Sequence, residues 1–485
     1  MPQKKMQISL NKCNISFLCL GAVLIIAGVI LLTTSGLIYD AIISAALKFG
    51  PDTKVYRAWQ KPADPIIMNM YFFNWTNPED IDNPNVKPKF IQVGPYRYKH
   101  TKEKTEIVWN DNQTITYTYL KYFYFDEENS PNHHSDMITT INAVPLTVAH
   151  IANDWHLVPQ LVISSPIRKA EVYVIKNVSE LLFGYEDSVL SVVNSVPIFT
   201  NTEQTKYGYF HGRNGTVGSD GVYNMRTDED DFGSLRKWNY ENNTNFFAGH
   251  CGDVYGSAGE MYPRNLKPTF IYLFSPEMCR TGKLKFVQNI TVKGVQGYKF
   301  SPLLEVFDNG SKLEGNRCFD NSHASGILNI SSCKGHAPVY LSLPHFYFAD
   351  PFYSNAVEGL YPDKDKHELY VGVEPKTGVI IDLSARLQIN VQLEPLSGFG
   401  KFANLPHLLF PVLWFEQIVQ ASDELASNLR FLARLPLIIE IACLVIIVLG
   451  IVCIISIVLY VACFKMKNPR EIKVHREEIP LNSKS

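Results

Sequence analysis

Residues 435–464, LPLIIEIACLVIIVLGIVCIISIVLYVACF, form an apolar run with a single acidic side chain, Glu440, near its start. A bilayer core of about 30 Å needs about 20 helical residues, so this run is long enough to span a membrane with some tilt. A soluble helix of this length would have to be buried on every face, which is rare. We therefore expect a transmembrane helix over residues 435–464.

A second apolar run, ISFLCLGAVLIIAGVILLTTSGLI, occupies residues 15–38 near the other end of the chain. The alternative is a cleaved signal peptide, whose apolar core has about 7–15 residues and ends at a small-residue cleavage site. This run is longer than that, and the residues from Asp40 onward offer no good cleavage site. We expect a retained transmembrane helix over residues 15–38.

The flanking charges predict the orientation of both helices, because Lys and Arg accumulate in short cytoplasmic segments. Before the first run and after the second stand eight basic residues: Lys4, Lys5, Lys12, Lys465, Lys467, Arg470, Lys473 and Arg476. On the other side of the second run, just before it, there are only Arg430 and Arg434. We therefore expect a two-pass plasma-membrane protein with cytosolic tails at residues 1–14 and 465–485. Residues 39–434 would form one extracellular or lumenal ectodomain. Residues 477–481, EEIPL, resemble an acidic di-leucine sorting signal only imperfectly, so endosomal or lysosomal residence stays open.

The composition bounds the function classes. The chain has 485 residues and a formal net charge of −2, which gives no reason to expect a nucleic-acid partner. The large segment between the runs is rich in β-branched and aromatic residues, together with Asn, Gly and Pro, and contains no repeat. We interpret it as a single folded domain.

The cysteines agree with this topology. Of nine, the ones between the two runs are Cys251, Cys279, Cys318 and Cys333. Four cysteines in an oxidising compartment indicate two disulfides, with three connectivities open, and a zinc site would need closer spacing. Cys13 and Cys463 lie near the cytosolic face of the membrane, where reversible palmitoylation is an option.

Eight Asn-x-Ser/Thr sequons fall in the predicted ectodomain, which favours a glycosylated surface. They begin at Asn74, Asn112, Asn177, Asn214, Asn242, Asn289, Asn309 and Asn329. A ninth, at Asn14, lies on the predicted cytosolic side.

Local patterns predict a β-rich domain with a helical insertion. Residues 103–109 and 114–124 flank a polar turn and indicate a hairpin. Residues 139–193 instead place apolar side chains at helical spacing, with Pro145 and Pro159 dividing the helices. Their apolar positions either pack on one another or form a binding surface. Residues 404–434 read as an amphipathic segment that leads to the membrane.

Motifs for catalysis are missing from the sequence. There is no His-Glu-x-x-His, no Gly-x-Ser-x-Gly and no phosphate-binding Gly-x-x-x-x-Gly-Lys. The acidic run 228–231 resembles a calcium loop, but Asn239 stands where that loop needs Glu. We expect no enzyme activity, no metal and no cofactor.

Several stretches spread over the ectodomain resemble the class B scavenger receptor family, also called the fatty-acid translocase family. They are residues 59–66 (WQKPADPI), 71–78 (YFFNWTNP), 94–98 (GPYRY), 180–185 (ELLFGY), 326–334 (GILNISSCK), 338–346 (PVYLSLPHF), 374–378 (EPKTG) and 386–388 (RLQ). Both apolar runs also lie where that family has its membrane spans. Residues 71–98 are similar to the corresponding stretch of insect members of the family.

The resemblance implies an α+β fold: a large antiparallel β-barrel-like ectodomain with an apolar tunnel and a cap of short helices, anchored by two transmembrane helices. The cap would correspond to residues 139–193. Ligands would be lipids or lipoprotein particles, and a fatty acid, sterol or carotenoid would pass through the tunnel to the bilayer.

The resemblance also implies roles for individual residues. Arg168 and Lys169 fall where members carry cations for anionic ligands, although solvent-exposed charge explains them as well. Many members have three disulfides, whereas Asp320 stands here at one of the cysteine positions. The implied pairs are Cys251–Cys318 and Cys279–Cys333, unless Cys318 takes the place of the missing neighbour.

A lipid receptor and transporter is therefore our preferred hypothesis. The alternative is a trafficking, adhesion or chemosensory co-receptor that binds protein or lipid-loaded partners through the cap. A two-span channel is disfavoured because both apolar runs lack a polar stripe to line a pore. The oligomeric state stays open, a homo-oligomer included.

Overall fold

A computed structural model describes residues 12–193, 206–320 and 322–467. Most of both predicted cytosolic tails, including the sorting-signal-like residues 477–481, lies outside the described residues. The chain divides into two compact units, one with the terminal helices and one formed by Lys48–Ala426, here called the sheet unit. The helices are α1 (Lys12–Thr33), α2 (Ser35–Ala46), α3 (Lys54–Gln60), α4 (Ala143–Asn153), α5 (Leu157–Ile167), α6 (Val178–Phe183), α7 (Ser188–Val193), α8 (Leu303–Phe307), α9 (Pro351–Asn355), α10 (Lys364–His367) and α11 (Asp423–Lys467).

Strands make up most of the sheet unit. They are β1 (Ile66–Trp75), β2 (Phe90–Asn110), β3 (Thr114–Phe125), β4 (Met137–Ile141), β5 (Tyr173–Asn177), β6 (Tyr185–Glu186), β7 (Lys206–Tyr207), β8 (Tyr223–Arg226), β9 (Leu235–Trp238), β10 (Phe270–Ser275), β11 (Arg280–Val292), β12 (Val295–Ser301), β13 (Ile327–Asn329), β14 (Val339–Ser342), β15 (Tyr370–Glu374), β16 (Val379–Leu393) and β17 (Leu408–Gln420). The predicted hairpin is confirmed, since β2 and β3 pair antiparallel from Asn110–Thr114 outward.

One large antiparallel sheet follows the order β10-β11-β12-β15-β16-β17-β1-β2-β3-β8-β9, with β14 paired to β16 and β13 to β14. Two residues connect its first and last strands. The amide of Leu235 in β9 donates to the Gly256 carbonyl (2.8 Å), and the amide of Ser257 donates to the Tyr272 carbonyl in β10 (3.0 Å). The sheet is therefore nearly closed, which confirms the barrel-like fold class.

Short helices lie between β4 and β7. Pro145 is the third residue of α4 and Pro159 the third of α5. Proline is tolerated in the first turn of a helix because the amide there has no intrahelical acceptor. The predicted boundaries between short helices therefore arise where the prolines stand. Buried apolar side chains of α4, α5 and α7, among them Ala149, Ile163 and Val189, belong to one core cluster.

The amphipathic segment predicted over residues 404–434 contains two different elements. Residues Leu408–Gln420 form β17, which pairs with β1 on one side and with β16 on the other, and helix begins only at Asp423. Most side chains from Leu408 to Glu416 are buried. A central strand covered on both faces has no period-two polarity, which is why its pattern resembled a helix face.

The terminal helices form the second unit, and two segments, Cys13–Thr33 and Asp423–Cys463, are long and apolar enough to cross a membrane. Glycines allow α1 and α11 to approach each other closely. A Cβ atom on Gly21 would lie 2.6 Å from Ile454 Cγ1, and one on Gly450 would lie 2.7 Å from the Gly21 carbonyl oxygen. Small residues at such contacts are typical of helix pairs in membranes.

Candidate functional site

The helical region presents two adjacent apolar side chains to solvent. Leu161 and Val162 on α5 are 53% and 56% exposed, whereas Ile163 and Ile167 on the same helix are fully buried. The helix thus packs one face into the core and leaves a second apolar face uncovered. The buried face agrees with internal packing of the predicted cap, and a binding role for the exposed face stays a prediction.

Arg168 and Lys169 directly follow α5 and are exposed. Arg168 Nε donates a hydrogen bond to the Gly398 carbonyl oxygen (2.8 Å). Gly400 has φ +64°, and a Cβ atom there would lie 2.9 Å from Arg168 Cα. The loop after β16 therefore holds Arg168 in place, and the role of both cations towards an anionic ligand stays a prediction.

The sheet unit contains two neighbouring cavities. The wider has a volume of about 440 Å³, and its lining includes Arg213, Asp220, Trp238, Glu277 and Lys334. The narrower is about 20 Å³, room for about one water molecule. Its lining includes Met68, His100, Lys121, Phe123, Tyr209 and Phe415. Arg213, Asp220 and Glu277 line both cavities.

Charges inside these cavities are mutually compensating. Lys121 and Asp220 form a nearly buried ion pair. Burial alone would raise the pKa of Asp220, but the Lys121 ammonium outweighs it and the pKa is lowered. Burial also lowers the pKa of Lys334. The Arg213 guanidinium lies 5.3 Å from the centre of the Tyr209 ring. The cavities are therefore lined by mixed polar and aromatic groups and are not purely apolar.

His100 on β2 is 3% exposed and stacks on Phe123, with ring centres 4.5 Å apart. Neither of its ring nitrogens has a hydrogen-bond partner among the described residues. Burial, assisted by the nearby Lys121 and Lys102, lowers its pKa to about 3. His100 is therefore neutral at physiological pH.

A second buried ionic cluster lies further along β2. Glu260 contacts Lys102 and Lys104, each at 2.9 Å, and accepts a hydrogen bond from the Tyr119 hydroxyl (3.1 Å). Burial would raise the pKa of Glu260, but the two ammonium groups lower it to about 2. Burial lowers the pKa of Lys104 to about 8, so this ammonium and the Glu260 carboxylate are both charged at neutral pH.

Two disulfides join Cys251 to Cys318 and Cys279 to Cys333, the pairs that the family resemblance implies. Cys13 and Cys463, the predicted lipidation sites, are exposed near the ends of α1 and α11. Palmitoylation of both stays a prediction.

The sequons differ in accessibility. The exposed ones are Asn112, Asn214, Asn242 and Asn289, and the half-buried ones are Asn74, Asn177 and Asn329. Asn309 is 1% exposed, and its amide nitrogen donates to the Ala324 carbonyl oxygen (3.3 Å). A glycan on that nitrogen would require the side chain to leave this buried position, and glycosylation at Asn309 stays a prediction.

Of the residues that line the two cavities, sequence reasoning had singled out Cys279 and Cys333, as disulfide cysteines, and it assigned no cavity or ligand role to any of them. The available signal was the alternation of His100, Lys102 and Lys104 along β2. Polar residues at period two ordinarily mark the solvent face of a strand. Here His100 is buried against Phe123, and Lys102 and Lys104 pair with Glu260.

Comparisons with known proteins agree with the fold. A model of the CD36 family matches residues 19–461. Protein peste of Drosophila melanogaster is 37% identical over 405 residues, which cover 81% of this chain and 72% of that protein. Lysosome membrane protein 2 of Mus musculus is 33% identical over 412 residues (82% and 84%). Scavenger receptor class B member 1 of Rattus norvegicus is 30% identical over 378 residues (76% and 74%).

Proposed function

The chain belongs to the CD36 family, and on that basis we propose that it is a membrane scavenger receptor that binds lipids or lipoprotein particles. In this proposal it transfers an apolar ligand, such as a fatty acid, sterol or carotenoid, through the ectodomain to the bilayer. No chemical reaction is required. An apolar molecule that moves from one apolar environment to another avoids hydration, which costs about 0.8 kcal/mol per CH₂ group.

The proposal is supported by the nearly closed sheet and by the wider cavity in the sheet unit. The wider cavity is of the size that small-molecule sites have in proteins. Its wall carries the cations Arg213 and Lys334, which can form strong hydrogen bonds to a carboxylate or phosphate head group. It also carries the carboxylates Asp220 and Glu277, of which Asp220 is paired with Lys121. Met68, Phe123 and Phe415 provide apolar contacts next to it.

Uptake from doubly labelled lipoprotein particles tests the transfer step. Cells that express the chain would receive particles with one fluorophore on the lipid and another on the particle protein. Lipid fluorescence that enters the cell membrane without the protein label supports transfer. Equal capture of both labels, with no lipid delivered to the bilayer, contradicts it.

A matched pair of variants places the effect in the cavity. Lys334→Met removes a cation from the cavity wall, and Lys169→Met removes an exposed cation beyond α5. We expect lower transfer of an anionic lipid in the first variant with unchanged particle binding. Equal transfer by both variants would exclude the cavity as the head-group site.

Recognition of a protein or lipid-loaded partner by the helical cap is the second candidate function. It is favoured by the exposed apolar face of Leu161 and Val162 beside Arg168 and Lys169. Leu161→Asp together with Val162→Asp should abolish particle binding in this case. If binding persists while transfer is retained, the cap is not the recognition surface.

The membrane arrangement follows from the same family membership. We propose that both terminal helices span the membrane with cytosolic tails and that the chain resides at the plasma membrane. Lysosomal residence is the alternative, because one relative is named Lysosome membrane protein 2. Surface biotinylation of intact cells distinguishes the two, since a lysosomal protein is not labelled.

A further inference from the structure

His250, Cys251 and Cys318 form a compact cluster in the sheet unit, and none of them lines either cavity. One donor atom of each, an imidazole nitrogen and two sulfurs, all lie within 4.8 Å of one another. His250 Nε2 is 3.7 Å from Cys318 Sγ and 3.0 Å from the Gly315 carbonyl oxygen. Imidazole and thiolate together are the donor set that zinc prefers in proteins.

The surroundings leave room for an ion. His250 is exposed and Cys318 is half-buried. A Cβ atom added to Gly249 or to Gly315, the glycines beside the imidazole, would meet nothing within 4 Å. Each disulfide joins one buried cysteine, Cys251 or Cys279, to one half-buried cysteine, Cys318 or Cys333. A reductant can therefore approach Cys318, and a bound ion could keep a water ligand on the open side.

We propose that the Cys251–Cys318 disulfide masks a site for a thiophilic divalent cation, such as Zn²⁺, and that reduction by a dithiol uncovers it. His250, Cys251 and Cys318 are the protein ligands. Tetrahedral zinc with Zn–S bonds of about 2.3 Å holds two sulfurs about 3.8 Å apart. The Cα atoms of Cys251 and Cys318 are 5.9 Å apart, so a modest separation of the sulfurs is sufficient.

The reduction step is a pair of thiol–disulfide exchanges. A thiolate of the dithiol attacks Cys318 Sγ, the bond to Cys251 breaks, and Cys251 leaves as a thiolate. The second thiol of the reductant then closes on the first and releases Cys318. The reductant is oxidised to a cyclic disulfide and supplies both electrons. The cation binds the two sulfurs as thiolates, which releases two protons, together with one imidazole nitrogen.

Cobalt binding to the full-length protein in detergent tests the proposal, with Co²⁺ as a coloured substitute for Zn²⁺. The unreduced protein gives the baseline, which includes any signal from the free cysteines Cys13, Cys19, Cys443, Cys453 and Cys463. After reduction by a phosphine, which does not compete for the metal, we expect one further equivalent of Co²⁺. It should show a thiolate-to-cobalt charge-transfer band that Zn²⁺ abolishes.

Two variants distinguish this site from binding by an unfolded chain. His250→Ala changes an exposed side chain and should weaken Co²⁺ binding by about tenfold or more, as removal of a metal-site residue does. Cys279→Ser with Cys333→Ser removes the other disulfide and should retain the band. No band after reduction, or an unchanged affinity in His250→Ala, would overturn the proposal.

Discussion

Replacement of His100 by phenylalanine should flatten the pH dependence of stability. The folded protein keeps this imidazole neutral, with a pKa of about 3, whereas an unfolded chain binds the proton with a pKa of about 6.5. Stability is therefore lost as the pH falls from the unfolded pKa towards the folded pKa. At about pH 5 this lowers the free energy of unfolding by about 2 kcal/mol, and at about pH 7.5 the effect is close to zero.

Phenylalanine fits this site because His100 already stacks on Phe123 and makes no hydrogen bond through its ring among the described residues. Urea denaturation followed by tryptophan fluorescence, at about pH 7.5 and about pH 5, measures the free energy of unfolding. The difference in the free energy of unfolding, His100→Phe minus wild type, should be about 2 kcal/mol larger at the lower pH than at the higher pH.

The control is His133→Phe, which changes an exposed imidazole. Residual acid sensitivity should remain in His100→Phe, because burial also lowers the pKa of His345 to about 3 and that of His367 to about 4. The difference between His100→Phe and the wild type is the decisive quantity. If it is the same at both pH values, His100 is not a neutral buried group and the reasoning is refuted.

Three further predictions concern stability and modification. Glu260→Gln leaves buried Lys104 without its counter-ion and should lower the free energy of unfolding, measured by urea denaturation, by about 3–5 kcal/mol. A decrease below about 1 kcal/mol would contradict the buried ion pair. Gly400→Ala places a methyl group at φ +64° against the backbone of Arg168 and should destabilise the folded loop after β16 by about 1–3 kcal/mol. Faster proteolysis of that loop would show this loss of stability. Asn289→Gln should remove one glycan and shift the electrophoretic mobility, whereas Asn309→Gln should not; a shift in the second would show that Asn309 is accessible during synthesis.

Local sequence patterns were sufficient for elements whose character is set within a few turns of chain. The apolar runs, the β2–β3 hairpin and the short helices that begin near Pro145 and Pro159 belong to this class. In each case the periodicity or the proline acts on its own segment, so no knowledge of distant partners is needed.

Elements that depend on distant partners could not be predicted in this way. The residues of β17 form a strand because β1 and β16 occupy both of its edges, and nothing in its own sequence reports those neighbours. The inward direction of Lys102 and Lys104 depends on Glu260, which is contributed by a segment far along the chain. The pairing of four cysteines likewise has three solutions from sequence alone, and only the family resemblance selected between them.

The pairing of β1 with β17 joins two strands that are synthesised at very different times. Asn69 on β1 donates a hydrogen bond to Glu416 on β17, a partner 347 positions later in the chain. At a translation rate of about 5–20 residues per second, β1 waits roughly 20–70 s before its second neighbour has been made. Throughout that interval its edge and its apolar side chains lack their native cover, a state that favours aggregation. We therefore expect the nascent chain to need protection from aggregation until almost the whole sheet unit has been synthesised.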